Sequence, residues 1–306
     1  MSLRPITRRA FASGIAVAAG AALMRNLIQA EGTPEATPAE DESSQLLIRV
    51  ETIGTMQAAQ SFVSVPEFSL FEDGSLYALG PQLAIFPPPA LPNLTLTRLS
   101  DNGVQALTAA ARTAGLDQPR IIEGSMQVAD APITVVTFFD GDQLVTSSAV
   151  GLMYLTEAPD EWDEATWESF VELRSIVSLL IGYAGTIDET EILEPERSII
   201  PERLQVIAYT STNSFADLAG IPNADQETLV WPLETTLSTL TAEDTGDGVA
   251  KSACIELSGS DVRDVIEVAN EGNQMSPWAD RGAGDSGPTY GVLFKPLLPD
   301  QSACGF

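Results

Sequence analysis

Phe68-Ser69-Leu70-Phe71-Glu72-Asp73-Gly74-Ser75-Leu76-Tyr77-Ala78-Leu79 is the stretch on which the fold reading turns. Two short apolar runs, 68–71 and 76–79, flank Glu72-Asp73-Gly74, where glycine supplies the positive φ of a tight hairpin turn. A hairpin predicts antiparallel β-structure. Upstream, 45–53 has strand-like alternation. Downstream, Pro87-Pro88-Pro89 interrupts regular structure, and 94–99 resumes as a strand. Ser100 then caps a predicted helix with Val104, Leu107 and Ala111 at helical spacing, ending at Gly115. A second hairpin joins 133–139 to 144–150 through Asp140-Gly141-Asp142.

The longest predicted helix spans 163–183, with Asp163 as N-cap and Gly182 or Gly185 at its end. Apolar residues crowd its second half, which predicts burial rather than a one-sided surface stripe. The acidic run from Asp188 to Glu196 reads as a loop. Further strands are expected at 203–209, 253–257 and 290–296. A short helix is expected at 234–240, and another is capped by Ser260 with Val262, Val265, Ile266 and Ala269 on one face. The fold class is α+β. Two mainly antiparallel β modules, 45–156 and 201–306, each carry a packed helix and are joined by a longer central helix within a connector at 157–200.

The first thirty residues carry Arg4, Arg8, Arg9 and Arg25 and no acid, followed by small apolar residues from Ala12 to Met24. This is the pattern of a secretory leader. Arg8 and Arg9 before Phe11 resemble the twin-arginine export signal, with cleavage expected after Ala30. An apolar run this short falls below the ~20 residues needed to span a bilayer, so membrane contact is expected only through an uncleaved leader. Residues 31–44 are rich in Pro, Thr, Glu and Ala and read as a disordered acidic linker. The expected location is outside the cytoplasm.

The 306-residue chain has 15 basic and 43 acidic residues, no histidine and a net charge of −28. Loss of the leader removes four arginines and no acid, making the remainder four charges more negative. Such a chain repels nucleic-acid phosphates. Without histidine there is no Ser-His-Asp triad, Cys-His pair or histidine-bound metal. Cys254 and Cys304 are the only thiols, and an exported chain places them in an oxidising compartment, which predicts a disulfide. The spacing is not that of a redox CxxC pair.

Other chemical motifs have plain alternatives. Gly282, Gly284 and Gly287 fit GxGxxG, but Pro277-Trp278 precedes them and a strand follows. Gly284-Asp285-Ser286-Gly287 looks like the nucleophile loop of chymotrypsin-like proteases, yet Ser286 lacks a histidine base. No S-x-x-K precedes Lys251 or Lys295. Asn93-Leu94-Thr95 is a glycosylation sequon that matters only in a glycosylating host. The acids from Glu157 to Glu168, with Trp162 and Trp167, form the densest cluster that could serve a carboxylate-dependent carbohydrate hydrolase. Asp140-Gly141-Asp142 and Asp244-Thr245-Gly246-Asp247-Gly248 hold oxygen ligands suited to calcium, though turn chemistry explains both. No catalytic residue and no cofactor is assigned, and a metal site is left open.

Several patches resemble a group of secreted or membrane-tethered proteins of unknown function from actinobacteria and related bacteria. They are 68–76, the run from Pro89 through Leu99, Trp231-Pro232-Leu233, Cys254, Pro277-Trp278, and Lys295-Pro296-Leu297-Leu298-Pro299-Asp300 with Cys304. The resemblance spans about 45–306, includes both cysteines and implies no activity. The expected function is a non-enzymatic extracytoplasmic module binding an envelope or extracellular protein or a small ligand. A carbohydrate hydrolase and a calcium-stabilised envelope protein are the alternatives.

Overall fold

A computed structural model describes residues 44–54, 64–123, 131–210, 227–241, 253–283 and 287–304. The export signal at Arg8, Arg9 and Phe11, the 31–43 part of the linker, the Asp244 turn, Lys251 and Gly284-Asp285-Ser286 lie outside the described residues. The protein is mixed α/β with two sheets, both within the unit Ser43–Phe306.

The 68–79 hairpin forms as its sequence dictates. Strands β2 (Phe68–Phe71) and β3 (Ser75–Leu79) pair antiparallel around Gly74, whose φ is +78°. A Cβ at Gly74 would lie 2.3 Å from the Leu99 carbonyl oxygen, so glycine is required by space as well as by dihedral. Burial opposes ionisation of Asp73, but hydrogen bonds from Ser75 and Arg98 prevail and hold its carboxyl below the ordinary range.

Around this hairpin, β1 (Leu46–Ile53), β4 (Leu94–Leu99), β6 (Ile133–Phe139) and β7 (Leu144–Val150) extend the sheet antiparallel. Two edges close it: β5 (Ile121–Ile122) pairs parallel with β7, and β8 (Ile192–Ser198) pairs antiparallel with β4. The order is β5-β7-β6-β1-β2-β3-β4-β8. The acidic stretch expected as a loop at 188–196 is therefore corrected. It makes a 3-10 turn at Glu189–Glu191 and then the edge strand β8. Charge and Pro195 hide it from a hydropathy reading, yet an exposed edge tolerates both.

Helices α1 (Asp101–Thr113) and α2 (Glu164–Ile181) cover one face of this sheet. Leu107 and Ala111 of α1 and Phe170, Leu173 and Val177 of α2 join Ile48, Val50, Phe68 and Leu70 in one core. The burial expected around the second half of the longest helix is corrected: its five buried residues form one stripe facing this core, while Glu172, Ser175, Ser178 and Ile181 are exposed. Ser100 and Asp163 cap the two helices as expected, Asp163 accepting the Thr166 N–H at 2.8 Å. Asp163→Ala should lower the unfolding midpoint, because the Thr166 N–H loses its acceptor. Urea unfolding checks this; an unchanged midpoint would show that packing alone sets the start of α2.

The second sheet has the order β10-β12-β13-β9-β11. Its members are β9 (Arg203–Thr210), β10 (Leu229–Val230), β11 (Ala253–Ser258), β12 (Trp278–Ala279) and β13 (Thr289–Leu297). The short α3 (Leu237–Leu240) and α4 (Ser260–Ala269) help bury its inner face. Leu204, Val206, Val292 and Phe294 meet Leu237, Val262, Val265 and Ala269 there, with Trp231 and Trp278 between them. Ser260 is not the expected cap. Gly259, at φ +64°, is the N-cap and Ser260 is already helical, because the glycine makes the turn one residue earlier.

A bulge in β1 lies where the two sheets meet. Leu46 opposes Phe71 and Ile48 opposes Leu70, so the register slips by one residue between them. Leu47 then packs on the helical side, while Leu46 joins Phe71, Leu94 and Leu298 on the other. Arg49 lies on that second side too, donating to Asp300 at 2.6 Å and to Ser69 at 3.2 Å. At this seam the layers run helix, sheet, sheet, helix.

Candidate functional site

The link between β3 and β4 builds a cleft. Gly80 donates to the Asn93 carbonyl at 2.9 Å, and Gln82 and Asn93 tie the two limbs of the loop together. The limb after the proline cluster crosses to the second sheet. Gln274 donates to the Pro88 carbonyl at 3.0 Å, and Ala90 is buried in the second core. A cleft of about 420 Å³ opens between this strap, the Ile199-Ile200-Pro201 link and Ile266 and Asn270 of the α4 end. Its size is ordinary for a ligand pocket.

None of the residues lining it is charged. The free limb of the strap is exposed from Pro81 to Phe86. Leu83 is 65% exposed, Ile85 58%, Phe86 68% and neighbouring Ile200 62%. Clustered exposed apolar side chains of this kind mark interaction surfaces. Sequence reasoning took the proline cluster only as a break in regular structure. The usable signal was that no residue between Asp73 and Arg98 is charged.

A second group of chemistry-bearing residues lies in the inter-sheet seam. Arg49 and Glu51, two apart on β1, share a face, and Lys295 of β13 feels both. Burial pushes the Lys295 ammonium below its ordinary range, Glu51 opposing the shift and Arg49 adding to it. Burial pushes the Glu67 carboxyl up, against hydrogen bonds with Thr52 and with a smaller contribution from Glu51. Its Oε2 is buried without a hydrogen-bond partner.

The raised Glu67 value gives a signed pH dependence. The native state holds this proton more tightly than the unfolded chain does. The stability so contributed is complete below the unfolded-state value of about 4.3 and is lost as pH rises through the higher native value. Glu67→Gln stays neutral throughout. It should therefore melt higher than the parent near pH 7 and level with it near pH 4. Thermal melts at the two pH values measure this; equal curves at both would show that the buried oxygen costs nothing.

The acid and tryptophan cluster at 157–168 is assembled differently from a sugar platform. Trp162 and Trp167 lie 5.2 and 5.4 Å from the Phe170 ring, the latter nearly parallel at 15°. The Arg174 guanidinium lies over Trp167 and Phe170. Glu157, Asp160, Asp163, Glu164 and Glu168 are exposed. The indoles thus pack on other side chains while the acids face water. At Asp140-Gly141-Asp142, Asp140 Oδ1 accepts the N–H groups of Asp142 and Gln143, which makes it a turn residue. Among the described residues no group of three or more acids or cysteines is placed to hold a metal ion.

Cys254 and Cys304 are joined in a disulfide, with their Cα atoms 5.6 Å apart. The bond fastens the C-terminal tail across β9 to the edge strand β11, and Cys304 N–H donates to Gln205 Oε1. No described helix is long and apolar enough to cross a membrane. The class so defined is a two-sheet, disulfide-bonded mixed α/β protein with an uncharged apolar cleft. No family model, curated protein or solved structure matches the chain.

Proposed function

We propose that the chain is an exported, non-enzymatic module that binds a partner or small ligand outside the cytoplasm. The observation that supports this reading is the uncharged cleft beside the exposed Leu83, Ile85 and Phe86 side chains. In a soluble domain such side chains cost free energy to expose, and a bound partner recovers it by burying them. The disulfide is compatible with an oxidising compartment. The leader reading through Arg8, Arg9 and Phe11 is part of the proposal, as is a division into two modules, which the separate cores behind the two sheets support. The expected 157–200 connector drops out of it, because α2 packs into the first core and β8 pairs with β4.

A carboxylate-dependent hydrolase acting on carbohydrate is the second reading. It is favoured by Glu67, whose carboxyl keeps its proton to higher pH near Glu51. One experiment separates the two. The full chain is assayed against panels of glycosides, esters and peptides, and no turnover is expected. Turnover abolished by Glu67→Gln or Glu51→Gln would replace the binding reading with the hydrolase. Export is tested with a reporter fused after residue 44, which Arg8→Lys with Arg9→Lys should retain in the cytoplasm.

A further inference from the structure

We draw no further inference here: the strongest candidate, the Glu51, Glu67 and Lys295 cluster in the seam between the two sheets, belongs to the site already described and rests otherwise only on the displaced ionisation of Glu67 and Lys295.

Discussion

Cys304→Ser is expected to destabilise the fold by about 4 kcal/mol, because the disulfide closes a loop across 50 positions and the unfolded chain regains that freedom without it. For a domain of this size the melting temperature should fall by about 10 °C. The native side agrees with the entropic argument. The tail held by Cys304 carries Leu298, buried between the sheets, and Asp300, paired with Arg49 at 2.6 Å. Loosening the tail therefore weakens the seam as well as the edge of the second sheet. Urea unfolding of parent and variant, each with and without reductant, measures the effect. Reductant should bring the parent down to the variant and leave the variant unmoved. A parent that keeps its midpoint under full reduction would show that the tail is held by its contacts alone.

Trp231→Ala should cost a similar amount, about 4 kcal/mol, at the centre of the second core. The side chain is fully buried, with its ring 5.9 Å from Trp278, which in turn lies 5.5 Å from Phe294. Both pairs meet edge to face, the arrangement favoured by the ring quadrupoles. The indole Nε1 donates to the Thr235 carbonyl at 2.7 Å and so closes the turn before α3. Trp231→Phe keeps most of the apolar surface but loses this bond. It should cost about half as much as the alanine variant. Equal losses in the two variants, read from urea midpoints, would assign the effect to the turn rather than to the core.

The sequence signals that held were local. Asp73-Gly74, Asp140-Gly141, Ser100 and Asp163 each act through bonds within a few residues, and the structure places all four as their chemistry requires. The cysteine pairing was legible because two thiols leave one intramolecular pair. What escaped depends on distant neighbours. Arg49 and Glu51 alternate on β1 like residues on a wet face, and only the second sheet turns that face into a seam. Leu46 and Leu47 exchange sides through a bulge that nothing in the apolar pattern marks. β8 escaped because charge and proline look like loop, although an edge strand needs only one paired side.

The cleft was visible as a charge-free stretch, but its walls come from three stretches far apart in the chain, 81–94, 199–201 and 266–270. Periodicity describes single elements and cannot bring Leu83, Ile200 and Ile266 together. The Glu67 carboxyl was equally hidden. One acid beside Phe68 has no signature until β1 and β2 bury it.

The edge strand β8 also bears on how the protein behaves when crowded. Its outer row of peptide groups is the place where the eight-stranded sheet could continue into another molecule. Pro195 lacks an N–H and so leaves this strand one backbone donor short of a regular ladder. Glu194, Glu196 and Arg197 make desolvation of that edge costly. The residues that disguised this strand as a loop therefore act as a guard against fibre growth, and a replacement such as Pro195→Thr would open the sheet to edge-to-edge aggregation.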